Sequence, residues 1–374
     1  MTLKNLVVLL CCTAIIGIAL FPGAAPLAAT SRNGFDYSDA LVPADEIHWG
    51  GVRRDGIPAI RNPKFLAASD VKFLRSKDRI LGIVRNGIAK AYPIRILERH
   101  EVVNDRFGDE AVVVTYCPLC FSGMAFTPRF GDVELAFGVS GLLYNSDVLL
   151  YDYRTGSLWS QLLSKAISGP LKGLEIPAIP MANTTWRDWQ LRHPETLVLS
   201  TDTGFRMGYR GSPYAEYQSK GQLMFPVALR NKAYRNKEWV LGIKIDDTEK
   251  AYPFKELRKH GEASFRDTVG DTELTIEWNE KEKTARAIDS NGEEIPTVIV
   301  YWFAWYAFHP GTEIFTQYSF YGHSFAISAK CFRPASFRSA GITQNRCPVG
   351  ASITHQYLTR SIFFAPNASS RRTS

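Results

Sequence analysis

The chain has no glycine-rich loop of the kind that follows a strand and cradles phosphate, and no regular alternation of strand and helix. A doubly wound nucleotide-binding fold is therefore disfavoured. A glycine-x-serine-x-glycine elbow is also missing: Ser140 sits in GVSGL and no histidine can be assigned as its base, so serine hydrolase chemistry has no support. Cysteine is scarce. Of the six, Cys11 and Cys12 lie at the extreme N-terminus and Cys331 and Cys347 in the C-terminal tail, which leaves Cys117 and Cys120 as the one close pair in the body. A closed zinc site usually takes four ligands, and a single Cys-x-x-Cys supplies half of them. No apolar run reaches the ~20 residues of a spanning helix.

Negative charge is absent from Gln317 to the end, where Lys330, Arg333, Arg338, Arg346, Arg360, Arg371 and Arg372 account for the net charge of +7. The 44 basic residues less these seven equal the 37 acidic ones. The body is thus electrically balanced and gives no argument for nucleic-acid binding. The tail, 317–374, reads as a disordered basic extension able to adhere weakly to anionic surfaces. At the other end Lys4, the apolar run Leu6–Phe21 and the small residues up to Ala29 have the order of a secretory signal peptide. Export to a periplasmic or extracellular space is expected, with residues 1–29 removed; an uncleaved anchor is the alternative. Membrane contact is expected only through this segment or the tail.

What remains is organised around a repeat. Residues 30–78 form a lead-in segment, including a Gly- and Pro-rich stretch from Asp45 to Pro63 that reads as an irregular loop. RILGIVRNGIAKAY follows, two apolar runs around Asn86-Gly87, which is a hairpin signal. Leu81-Gly82-Ile83 and Lys90-Ala91-Tyr92-Pro93 recur 160 positions later as Leu241-Gly242-Ile243 and Lys250-Ala251-Tyr252-Pro253, and His100 matches His260. The repeat delimits 79–120 and 239–282 inside a domain spanning 79–316. Short β-rich runs and few long 3.6-residue periods predict an α+β, mainly β fold: duplicated hairpin-based lobes around a shared core, with short helices. TTWRDWQLRHP predicts a helix capped by Thr185, with Trp186, Trp189 and Leu191 as core.

The two copies differ at one place. Val112 to Tyr116 reads as a buried strand that delivers Cys117 to its end, and Pro118 suits the first residue of a helical turn that brings Cys120 to the same side. The second copy has Asn279 at the place of Cys117, followed by Glu280, Lys281 and Glu282. The cysteines are an addition to the scaffold. Three chemistries fit them. In thiol/disulfide exchange, with a redox partner protein, N–H groups of the turn would lower the attacking thiol's pKa. In soft-metal binding, copper or zinc would be held by Cys117 and Cys120 with His100, His48 or a carboxylate. In the third the pair is structural and the protein binds a small molecule through the apolar GLLYN connection: Leu143, Tyr144, Asn145, with Trp159 and Gln161. Asp147, followed by Val148-Leu149-Leu150, is either a proton-transferring carboxylate raised by burial or part of a turn. Asn104 and Asp105 are further polar candidates.

DGIPAIRNPKF, NGIAKAYPIRIL, HEVVND, VTYCPLC, AFGVSGLLYNSDVLLYD, TGSLWSQ, GPLKG and FAWYAFHPGTE together resemble the family of domain of unknown function 3179, over Val42 to Phe315. Some members place selenocysteine in the cysteine motif, which implies redox or soft-metal chemistry there. The resemblance transfers no particular activity, and the tail departs from it.

Overall fold

The computed structural model describes residues 30–317. Residues 1–29, expected to be a signal peptide, and the tail beyond Gln317 with Cys331 and Cys347 lie outside these residues. The described chain is mainly β with a few short helices, and five sheets of three to five strands form a propeller-like ring. Among the described residues no helix is long and apolar enough to cross a membrane.

Each copy of the repeat builds parts of two neighbouring sheets. In the first, the hairpin Arg79–Arg85 and Ile88–Pro93 turns through Asn86 and Gly87, whose φ values of 52° and 74° are those a two-residue turn between twisted strands requires. Pro93 ends the ladder and the short helix Ile94–His100 leads into the meander Val102–Phe107, Glu110–Cys117 and Ser122–Phe126. The second copy repeats this order as Trp239–Ile245, Thr248–Pro253, helix Phe254–His260, Ser264–Val269, Thr272–Asn279 and Thr284–Ile288.

The structural repeat runs further than the matched stretches of sequence. Strand Ala182–Thr185 and helix Trp186–Arg192 return to the first hairpin as Val298–Tyr301 and Trp302–Phe308 return to the second. Each helix lays one indole on a hairpin glycine: a Cβ on Gly82 would stand 2.4 Å from the Trp189 ring, and one on Gly242 would stand 2.3 Å from Trp305. The indole N–H donates to Thr196 in one copy and to Thr312 in the other, at 2.9 Å both times. A histidine ring, His193 or His309, packs on each indole at 4.1 Å. WRDWQLRHPET and WFAWYAFHPGT are therefore one motif used twice. Their spacing hid it, because a long insertion separates the helix from its hairpin in the first copy only.

That insertion makes the fifth sheet, from Phe137–Tyr144, Asp147–Asp152, Leu158–Ser160 and Lys165–Ser168. Its edge is Ile47–Trp49, so the lead-in segment, expected to be irregular, contains a strand paired to Leu142–Tyr144. One further expectation is corrected. Leu191 is 78% exposed, because it lies on the outer face of a helix whose inner face is filled by Trp186 and Trp189. Asn183, in the strand before this helix, is buried with its side-chain oxygen taken by Arg79.

Both copies share one hydrophobic cluster, in which Leu81, Tyr92 and Val113 meet Leu241, Tyr252 and Trp302. Each copy also holds a matching ion pair, Lys90 with Asp105 at 2.9 Å, buried, and Lys250 with Asp267 at 2.9 Å, partly buried. Asp105 is thereby a structural partner of lysine. Asn104 is structural too, bonded to the backbone N–H and C=O of Phe137.

Candidate functional site: a buried dithiol and carboxylate

Strand Glu110–Cys117 is buried on both faces from Ala111 onward, as a run of β-branched residues allows. Pro118 to Phe121 then form a turn, and Ser122, opposite Cys117, starts the returning strand. The expected helical turn is instead a tight hairpin turn, closed by Phe121 in the left-handed region at φ 59°. Cys117 and Cys120 end up side by side with their sulfurs 4.0 Å apart and unbonded.

A second hairpin meets them. Asn145 and Ser146, both at positive φ (49° and 64°), turn Phe137–Tyr144 into Asp147–Asp152. The turn presents two groups to the sulfurs. The Ser146 carbonyl accepts from Cys120 Sγ at 3.2 Å and faces Cys117 Sγ at 3.8 Å. The Asp147 carboxylate lies with both sulfurs inside a 4.8 Å cluster. Of the two readings of Asn145-Ser146-Asp147, the turn ends before Asp147, whose side chain belongs to the site.

A polar chain supports Asp147. Ser122 Oγ lies 3.0 Å from Asp147 Oδ1 and 2.7 Å from Gln161 Oε1, while Gln161 Nε2 donates to Thr115 Oγ1 at 2.7 Å. One hydroxyl proton cannot serve two acceptors. The chain is complete when Asp147 carries a proton and donates to Ser122, which donates to Gln161. Burial agrees, pushing Asp147 up to about 7 despite the lowering bonds from Ser122 and the Leu162 N–H.

Glu101, the cap residue of helix Ile94–His100, is the second carboxyl here. Burial, then the Asp147 charge, push it up to about 8. Burial also raises both thiols, with Asp147 adding to the effect on each. The lowered thiol pKa expected from the turn's N–H groups is overturned: at 1% and 0% exposure desolvation outweighs the Cys117–Cys120 hydrogen bond, and the neighbouring carboxylates are of the wrong sign.

The segment between Leu199 and Trp239 lies over this cluster as a strap. Ser146 Oγ donates to the Phe225 carbonyl at 2.8 Å, the Ala228 N–H donates to Asn145 Oδ1 at 2.8 Å, and Tyr217 Oη donates to the Leu119 carbonyl at 2.9 Å. The second copy closes the other side, where Tyr301 N–H donates to the Cys120 carbonyl at 2.9 Å and Trp239 stacks on Phe121 at 4.4 Å. The strap was not legible as part of the site, since it has no periodicity beyond the short helix Ala215–Ser219.

The other expected residues divide. Gln161 is in the network, and Asn145 holds the strap. Leu143 and Tyr144 belong to a strand instead of a pocket-covering loop: Leu143 is buried in the core and Tyr144 packs against Phe308. Trp159 is a core residue between Phe130 and Phe137, with its indole N–H on Asp152. His100 is corrected as a metal ligand: its Nδ1 is 2.7 Å from the Pro58 carbonyl and its Nε2 is 2.6 Å from the Tyr209 hydroxyl, so both ring nitrogens are used. His48 sits on the edge strand of the fifth sheet, opposite Leu143, and is not in the cluster.

Fold and site together define a duplicated β scaffold with a sealed dithiol–carboxylate centre in one copy only. The chain belongs to the family described as protein of unknown function (DUF3179), whose model matches residues 54–312. No curated protein and no solved structure matches it.

Proposed function

We propose that this is an exported protein whose centre binds a soft or borderline metal ion, zinc or copper, through Cys117, Cys120 and Asp147. The observation that carries the reading is the convergence of three donor atoms within 4.8 Å. Two sulfurs sharing a tetrahedral ion at metal–sulfur distances of about 2.3 Å stand roughly 3.8 Å apart, and these stand 4.0 Å apart. A cation also relieves what the site otherwise bears: acidic groups buried together, with no basic side chain paired to Asp147 or Glu101 among the described residues. Export rests on the character of residues 1–29, and N-terminal sequencing of the mature protein tests it.

The decisive measurement is metal content by elemental analysis after loading with zinc and, separately, with copper(I). Equimolar metal in the wild type, lost in Cys117→Ser, Cys120→Ser and Asp147→Asn, is expected. Metal-free protein under both conditions overturns the reading.

Thiol/disulfide exchange is the second reading, favoured by the unbonded sulfurs at 4.0 Å beside a carboxylate poised near 7. Oxidation would join the sulfurs, pass two electrons to a partner disulfide and release two protons, one by way of Asp147. A nucleophilic thiol, however, is exposed and has a lowered pKa, and these two are neither. A reversible midpoint potential in the range of catalytic disulfides would select it.

A further inference from the structure

The strap that covers the cysteine site is basic. From Thr203 to Lys237 it holds seven basic residues and one acid, Glu216. Two of the seven are used within the strap: Lys220 pairs with Glu216 at 2.5 Å, and Lys237 donates to the Lys220 and Gln222 carbonyls at 2.6 and 3.0 Å. The other five, Arg206, Arg210, Arg230, Lys232 and Arg235, are exposed, and among the described residues no side-chain hydrogen bond or ion pair engages them. The acids bordering the strap are already engaged. Glu98 accepts from Ser212 and Gln218, Asp202 pairs with Lys64, Glu238 accepts the Lys255 N–H, and Glu256 pairs with Lys259. The sequence outside the described residues contains no Asp or Glu at all.

The same segment exposes apolar side chains. Phe205, Met207, Met224 and Leu229 are four of the eight large apolar residues that the described chain leaves exposed. Their placement follows from an extended backbone, in which successive side chains point to opposite sides. Leu223, Phe225 and Val227 pack inward on the core, and the Phe225 carbonyl and the Ala228 N–H hold Ser146 and Asn145 of the site. Met224 and Leu229 are on the solvent side, directly before Arg230 and Lys232. Clustered exposed apolar residues among unpaired cations mark an interaction face.

We infer that the strap is a docking face for an anionic phospholipid membrane surface, distinct from residues 1–29 and from the basic tail. Its unpaired cations meet lipid phosphates and its apolar side chains enter the interface, the two components of peripheral binding. A partner protein presents charges of both signs, whereas an anionic bilayer presents one, and the strap leaves no unpaired acid for a partner's base. Docking through the strap sets the bilayer against the cover of Cys117, Cys120 and Asp147. None of this depends on what the cysteines bind.

The test is sedimentation with vesicles of phosphatidylcholine and phosphatidylglycerol in equal parts, and of phosphatidylcholine alone. It uses the protein as recovered from expressing cells, every variant having the same N-terminus and a wild-type circular dichroism spectrum. Each Lys or Arg near an anionic surface contributes about fivefold to binding. Arg230→Gln/Lys232→Gln/Arg235→Gln should therefore lose at least about tenfold on the mixed vesicles. Arg360→Gln/Arg371→Gln/Arg372→Gln, which removes the same charge from the tail, should lose less than about threefold. Met224→Ser/Leu229→Ser should lose at least about threefold with the charges intact. Equal losses for the strap and tail charge variants, or no preference of the wild type for the mixed vesicles, overturn the inference. Wild-type binding by Met224→Ser/Leu229→Ser overturns the membrane as occupant, and tight binding of poly-glutamate in that case assigns the face to an acidic protein.

Discussion

The turn Pro118–Phe121 of the first copy and the turn Glu280–Lys283 of the second occupy the same slot in the scaffold, and each packs against the other copy. In the second, Arg79 donates to the Glu282 and Lys283 carbonyls at 2.8 and 3.0 Å, and the Glu282 carboxylate is held by the Thr185 hydroxyl and the Arg187 guanidinium. Burial pushes Glu282 up, but these two partners together hold it below the usual carboxylate range. In the first, Asp147 and Glu101 are buried with no guanidinium or ammonium paired to them among the described residues, and both are raised. One slot contains its own cation, and among the described residues the other pairs its acids and thiols with no cation. The simplest physical account is that the first slot takes its cation from solution.

The largest expected effect follows from that contrast. Replacing Cys117 and Cys120 together by serine should abolish metal uptake while leaving a folded protein, because the second copy closes the same turn without sulfur. Circular dichroism and elemental analysis of one preparation decide it; an unfolded double mutant would make the cysteines part of the framework.

Next are the hairpin glycines, where the copies should behave alike. Gly82→Ala and Gly242→Ala each drive a methyl group into an indole ring, at 2.4 and 2.3 Å. Overpacking of this kind costs about 1–3 kcal/mol. Similar losses in urea midpoint for the two variants would show the indole-on-glycine contacts to be equivalent, whereas a cost in one copy alone would break the symmetry.

The carboxylates give the copies different responses to pH. In the metal-free protein the unfolded chain loses the protons of Asp147 and Glu101 near pH 4, while the folded chain keeps them up to about 7 and 8. Between these limits the native state binds more protons than the unfolded one, so stability falls as pH rises. Glu282, lowered in the fold, acts in the opposite sense: its contribution is present above the ordinary carboxylate range and is lost as pH falls through its folded value. Urea midpoints from pH 4 to 8 should decline less steeply in Asp147→Asn than in the wild type. An unchanged slope would show that Asp147 ionises normally.

How much of this was legible in the residues depended on whether the signal was local. The Asn86-Gly87 hairpin, the Thr185 cap and the cysteine strand are fixed by neighbours in sequence, and the structure has each of them. The indole motif was missed because the insertion shifts its spacing, and Glu101 because nothing in the sequence reveals a left-handed glutamate. The strand ending at Cys117 was legible, but the turn after it and the thiol pKa were not. Burial by the strap and by Tyr301 and Trp239 is a long-range fact, and it reverses the local effect of backbone N–H groups.

The smallest effect lies at the two helices that follow the returning strands. Thr185 caps helix Trp186–Arg192 with its side chain, accepting from the Asp188 N–H, whereas Tyr301, at the matching position before Trp302–Phe308, makes no side-chain cap. The second helix needs none, because its apolar face, from Trp302 to Ala307, is buried nearly throughout. The first exposes Leu191 and depends more on its end. Thr185→Ala should therefore cost about 1 kcal/mol, the usual value of a lost N-cap, read as a lower urea midpoint. Glu282→Gln in the same background separates the cap from the Thr185–Glu282 bond: a cap alone leaves the two losses additive, and sub-additive losses would place the threonine's contribution in the ionic slot of the second copy.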